Sequence, residues 1–323
     1  MTDYNFKNLV FEGGGVKGIA YCGALQILEK KKILQQIERF AGTSAGAITA
    51  SFLAVGLTVK EIEELLWKTN FEKFKDEGFF IKNIFQVFRK YGWFKGDAFQ
   101  KWFEDAISKK VDRKITFKEL KLRGKELYIV GTNLDKSTSV IFSSETFPEM
   151  QVSKALRISM SIPLFFKSVR FDNNTFIDGG VYYNYPINLF DNEKYLFNQL
   201  NCSSAPYDKR KGAVYNKETL GLRVDSIEEI SLNLGKIDAV EKRISSIKDY
   251  LISIIEGLTE MANRAHLHKN DWHRTIYIEN PGVKTTDFNL ASKQKSLLVK
   301  KGKLGASNYF KWFDSPSEKP LNK

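Results

Sequence analysis

Cysteine is almost missing: Cys22 and Cys202 are the only two in 323 residues and stand far apart. That excludes a disulfide framework and leads us to expect free thiols in a reducing compartment. No cationic, apolar, small-residue leader opens the chain, so cytoplasmic residence without a cleavable signal peptide is the expectation. No apolar run reaches the roughly 18 residues needed to span a bilayer, residues 158–166 being typical of the longest, so no transmembrane helix is expected and membrane contact is expected to be peripheral. Histidine is limited to His266, His268 and His273, all in one polar stretch, which leaves few candidates for an imidazole base. No EF-hand calcium loop occurs, and no metal or other cofactor is expected. Arginine supplies only 11 of the 50 basic residues, whereas readout of base edges leans on arginine forks.

What is abundant is lysine. Fifty basic against 38 acidic residues give a net charge of +12, and residues 284–323 alone carry 9 basic and 3 acidic groups. An excess of this kind points to an anionic partner, and lysine point charges fit a phospholipid membrane surface better than nucleic acid. The length allows two domains or one large α/β domain. No convincing linker divides the chain, so residues 8–191 are read as a catalytic core and residues 192–323 as a loop, closing strands and C-terminal helices of the same domain.

Along the chain, NLVFE (residues 8–12) reads as a buried strand, the cluster Gly13, Gly14, Gly15 follows, and residues 19–34 have helical apolar spacing. Residues 39–41 lead into GTSAG and a second helical stretch at 47–55. A repeated strand-turn-helix unit predicts an α/β fold, a central mainly parallel sheet flanked by helices. Thr58 with Glu61 forms a capping-box pattern. Aromatic residues crowd positions 71–103, fitting either a lipid-facing lid or the core of a helical subdomain. Further strands are expected at 126–131, 139–142, 175–177, 220–224 and 275–278, a long loop at 192–217, and a helix at about 245–268.

GTSAG matches GxSxG, in which a serine occupies a strained turn between strand and helix and small neighbours make room for it. Ser44 is then a candidate nucleophile, flanked by Gly42 and Gly46. Alone the pattern is weak, since about one chain in ten of this length carries it by chance. GGGVKG also fits the dinucleotide fingerprint GxGxxG, with Glu38 as the acidic partner about 20 residues on. The competing role for these glycines is an oxyanion hole built of backbone N–H groups. A nucleophilic serine needs a base, and the residues offer two: a histidine of the late cluster, giving a Ser-His-Asp triad, or Asp178, which leads a Gly179-Gly180 turn after an apolar strand.

In order, GGGVKG, GTSAG, ALRISMSIPLFF (155–166) and DGG (178–180) with Asn184 and Pro186 behind it resemble the patatin-like phospholipase family. YGWFKGD (91–97), TLGLRVDS (219–226) and TTDFNLASKQKSLLVKKG (285–302) extend the resemblance over nearly the whole chain, with Ser161 standing where the family often has alanine. The resemblance implies a Ser-Asp dyad without histidine. Ser44 is the nucleophile, Asp178 the general base, Gly13, Gly14 and Gly15 the oxyanion turn with donors from Gly14 and Gly15, and Lys17 and Gly18 complete the turn motif. It further implies a lipid acyl hydrolase of phospholipase A type acting on glycerophospholipids at a membrane surface, with an activating partner left open. A triad esterase or thioesterase, or a lipid-binding module needing a partner, is the alternative.

Overall fold

The computed structural model describes residues 4–74, 94–205, 208–226 and 247–323. β1 (Asn8–Phe11), buried along its length, runs through the glycine turn and a 3-10 turn (Gly15–Ile19) into α1 (Ala20–Lys30). α1 ends four residues earlier than its apolar spacing predicts, because Lys32 adopts φ 59. β2 (Arg39–Thr43) leads through Ser44 into α2 (Ala45–Ala54). α3 (Val59–Lys68) opens with the expected capping box: Glu61 N–H donates to Thr58 Oγ1 at 3.2 Å and Thr58 N–H to Glu61 Oε2 at 2.7 Å. α4 (Asp97–Ile107), α5 (Phe117–Leu122), β3 (Glu126–Asn133), β4 (Thr138–Phe142) and α6 (Val152–Ser159) follow.

β5 (Val169–Phe171) and β6 (Asn174–Asp178) form a hairpin whose two-residue turn, Asp172 and Asn173, has φ of 47° and 57°. Asp and Asn tolerate that left-handed pair, the mark of a tight hairpin turn. The stretch read as a loop at 192–217 contains a small antiparallel pair, β7 (Cys202–Ser204) with β8 (Val214–Asn216); three-residue strands are too short to leave an alternation pattern. β9 (Thr219–Asp225), α7 (Ile247–His266), β10 (Thr275–Glu279) and α8 (Ser292–Phe313) follow.

The main sheet has the order β10-β9-β1-β2-β3-β6-β5, parallel from β10 to β3, with β4 also paired to β3. Helices cover it, as the repeated strand-turn-helix pattern predicts. One detail of register positions the site. β2 pairs with β3 from Glu126 to Val130, β6 pairs with it from Gly131 to Asn133, and β4 spans Ile129 to Asn133. Because β4 overlaps both, β2 and β6 must share the opposite edge of β3, where they meet end to end. Thr43 lies opposite Val130 and Asp178 opposite Gly131.

Of the aromatic cluster, Phe71, Phe74, Phe99, Trp102 and Phe103 pack on one another and on Phe52, a core arrangement. Phe79, Phe80, Phe85, Phe88, Tyr91 and Trp93 lie outside the described residues. α8 packs back along α1, so close that a Cβ on Gly302 would fall on the Ala20 carbonyl. Lys295, one of the tail lysines, is buried and donates to the carbonyls of Leu66, Trp67 and Thr69, capping the C-terminus of α3.

Arg274 is fully buried, forks onto Asp191 at 2.6 and 2.7 Å and reaches Asp271 Oδ1 at 2.7 Å. Its removal strands two buried carboxylates. Arg274→Ala is therefore expected to lower the free energy of unfolding in urea by about 3–5 kcal/mol.

Candidate active site

Ser44 sits at φ 53, ψ −124, between β2 and α2, and is 4% exposed. Left-handed backbone at a serine is strained and is held by its surroundings. Those surroundings require the flanking glycines: a Cβ on Gly46 would lie 2.5 Å from the Glu12 carbonyl oxygen, and one on Gly42 2.5 Å from the Gly46 carbonyl carbon. Ser44 N–H donates to Ser159 Oγ at 2.8 Å, and its hydroxyl points to Met160 Sδ at 3.5 Å. Ser159 and Met160 at the end of α6 thus brace the elbow, a role sequence reasoning did not assign to either; the apolar signal around them marked only a buried segment.

Asp178 ends β6 directly across from this elbow. Its N–H donates to the Ser161 carbonyl at 3.0 Å, and its Oδ1 accepts from Gly180 N–H at 2.7 Å. Oδ2 is buried and has no hydrogen-bond partner among the described residues. Burial pushes the carboxyl up to about 7, against the smaller opposing pull of Gly180 N–H and the Ser44 hydroxyl. Gly179 lies against β3, where a Cβ would be 2.7 Å from the Val130 carbonyl carbon. Gly180 lies against Asn184, where a Cβ would be 2.9 Å from Oδ1.

Gly13 N–H donates to the Asn184 carbonyl at 3.1 Å and so is committed there. The N–H groups of Gly14 and Gly15 have no acceptor among the described residues. Gly15 has φ 55 and abuts the Thr285 carbonyl, which accepts from Val16 N–H at 3.2 Å. Gly18 faces Ala45, and Lys17 Nζ donates to the Val224 carbonyl at 3.4 Å. Asn184 returns a bond to the Gly13 carbonyl at 3.2 Å and another to Glu12 Oε1 at 3.3 Å. It therefore joins the glycine turn to the segment after Asp178.

Beneath the turn lies a buried charge cluster that the sequence did not reveal. Arg223 Nε is 3.2 Å from Glu12 Oε1 and 2.9 Å from Asp225 Oδ2, and Asn263 Nδ2 donates to Glu12 Oε1 at 3.0 Å. Burial raises the Glu12 carboxyl even with Arg223 beside it.

The histidines are engaged elsewhere. His266 Nε2 meets the Tyr182 carbonyl at 3.1 Å, His268 Nδ1 accepts from Asn270 N–H at 3.3 Å, and His273 Nδ1 accepts from Leu321 N–H at 3.3 Å. Glu38 precedes β2 and pairs with Lys7 at 3.8 Å, so it stands at the opposite end of that strand from the glycine turn. The dinucleotide fingerprint needs its acidic residue at the C-terminal end, a place Ser44 follows here.

Sheet order and elbow geometry define this chain as a patatin-like α/β fold. VipD from Legionella pneumophila superposes with a TM-score of 0.56 at 18% identity, over 95% of this chain and 67% of that one. ExoU, in its heterodimer with SpcU from Pseudomonas aeruginosa, does so with 0.51 at 16%, over 96% and 52%. The chain belongs to the patatin-like phospholipase family, whose sequence profile matches residues 9–191. It is 29% identical over 309 residues to the uncharacterized protein YqhO of Bacillus subtilis, covering 91% of this chain and 94% of YqhO. It is 32% identical over 191 residues to the probable lipid hydrolase 463L of Invertebrate iridescent virus 6, covering 57% and 63%. Among the described residues no helix is long and apolar enough to cross a membrane.

Proposed function

We propose that the protein is a phospholipase A-type lipid acyl hydrolase, cleaving fatty-acyl esters of glycerophospholipids through a Ser44–Asp178 dyad. What carries this reading is the buried Asp178 carboxyl, its Oδ2 without a partner among the described residues, across from a serine in a left-handed elbow. Membership of a lipid hydrolase family supports the substrate class.

In the first half-reaction Ser44 Oγ attacks the acyl carbonyl while its proton passes to Asp178. The carbonyl oxygen becomes an oxyanion within reach of the N–H groups of Gly14 and Gly15. Collapse breaks the ester C–O bond, the glycerol oxygen takes the proton back from Asp178, and the acyl group stays on Ser44. Water then attacks the acyl-serine and gives a proton to Asp178; the acyl C–Oγ bond breaks, Ser44 Oγ takes that proton back from Asp178, and the fatty acid leaves. An ordinary carboxylate, at about 3.9, is a poor base for a serine hydroxyl. Burial that lifts Asp178 to about 7 narrows the gap, and concerted transfer closes more of it.

The test is fatty-acid release from phospholipid vesicles by the purified protein, together with labelling by a fluorophosphonate. The expected adduct maps to Ser44; a labelled residue elsewhere, or no release, sinks the assignment. Asn184→Ala removes the bonds to Gly13 and Glu12 without touching the dyad. Loosening the turn is expected to lower kcat by about tenfold with KM changed less than about twofold, read from steady-state kinetics on a soluble ester.

A further inference from the structure

α7 carries a feature that the chemistry above does not use. Tyr250, Ile254, Leu258 and Met261 are 50%, 43%, 44% and 69% exposed. Steps of four, four and three residues on an α-helix confine them to an arc of about 80°. Asn263 lies on the opposite side, buried, with Nδ2 on Glu12 Oε1. The helix is thus pinned by one face to the residue that precedes the glycine turn, and its apolar stripe faces out.

The stripe adjoins the site. α7 packs against the Gly179–Val181 turn that follows Asp178, and at its end His266 meets the Tyr182 carbonyl. Tyr182 is itself 36% exposed. On the glycine-turn border stands the exposed Lys284, whose neighbour Thr285 abuts Gly15. Apolar side chains on one border of the site and an amine on another match a bilayer of anionic lipid, whose acyl region takes the first and whose phosphates take the second. The overall charge of +12 draws the protein toward the same surface.

Resting on the lipid acyl hydrolase reading, we propose that the exposed face of α7 docks on an anionic phospholipid bilayer and sets the mouth of the Ser44–Asp178 site against it.

Docking is read by co-sedimentation with phosphatidylcholine vesicles containing phosphatidylglycerol, using Ser44→Ala protein so that no lipid is consumed. Adding Ile254→Glu and Leu258→Glu is expected to weaken vesicle partitioning by about tenfold or more, with the melting temperature unchanged. In the chain with Ser44 intact, the same pair is expected to lower fatty-acid release from these vesicles to a similar extent. Hydrolysis of monomeric p-nitrophenyl butyrate should stay within about twofold, since neither residue belongs to the catalytic machinery. Pure phosphatidylcholine vesicles should bind more weakly than the anionic ones. Unchanged partitioning in the glutamate pair overturns the proposal and assigns the stripe to a protein partner; equal losses on vesicles and on the soluble ester overturn it too. Should the glutamate pair fail to fold, Tyr250→Ser with Met261→Ser gives the same comparison at the two ends of the stripe. If stripe-dependent partitioning is found but no fatty acid is released by the protein with Ser44 intact, docking stands and the hydrolase reading falls.

Discussion

Ser44→Ala is expected to lower kcat/KM for phospholipid by about 10⁴-fold or more, the scale on which removal of a serine nucleophile acts. The change deletes only Oγ. Ser44 N–H keeps its bond to Ser159 Oγ, and the close approach of Gly42, Gly46 and Glu12 that shapes the elbow is untouched. Loss of activity in a protein that melts like the wild type therefore isolates the hydroxyl. Ser44→Gly separates chemistry from strain. It is equally dead, yet a φ of 53° is one that glycine adopts freely and alanine does not. The glycine variant is expected to be about 1 kcal/mol more stable in urea than the alanine variant. Activity surviving in both would remove Ser44 from the reaction; equal stability of the two would show that the elbow stores no strain.

Features that depend on contacts a few residues apart are legible in the sequence itself. GTSAG announces its elbow because Gly42 and Gly46 meet each other across a single turn. Thr58 and Glu61 announce a helix start because the box closes over three residues. What depends on register is not legible there. No local pattern says that β2 and β6 abut on one edge of β3, although this is what brings Ser44 and Asp178 to neighbouring strand ends. The resemblance to a family supplies that pairing where periodicity cannot. Gly13 shows what neither route reaches: its N–H is spent on the Asn184 carbonyl, 171 residues away. The Glu12, Arg223, Asp225 and Asn263 cluster is hidden for the same reason, its members being drawn from the β1 end, β9 and α7. Asp172 and Asn173, by contrast, carry a hairpin signal in plain view, a pair of residues tolerant of positive φ between two short alternating runs.

Asp178→Asn is expected to lower kcat by about 10³-fold, within the range of general-base removal, and at the same time to make the protein more stable. The side chain keeps its shape, and an amide oxygen still accepts from Gly180 N–H, but no proton can be taken from Ser44. The pH dependence follows from the raised pKa. In the wild type the base works only when ionised, so kcat/KM should rise about tenfold per pH unit below about 7 and level off above it. The variant's residual rate should lack that rise. Stability moves the other way. Between the unfolded value of 3.8 and the folded value of about 7, the folded chain holds a proton that the unfolded chain has released. The stability associated with the neutral carboxyl is therefore complete below about pH 4, declines as pH rises, and is gone above about 7. Across that window the loss amounts to about 4–5 kcal/mol, on the usual value of about 1.4 kcal/mol per pKa unit. The amide of the variant has no such penalty, so the gap in melting temperature between variant and wild type should be widest near pH 8 and close toward pH 4. A carboxyl held for structure alone would give the opposite sign, with the asparagine variant less stable at every pH. Activity that rises through the same pH at which stability falls is what a base held in a dry site, at a cost to the fold, must show.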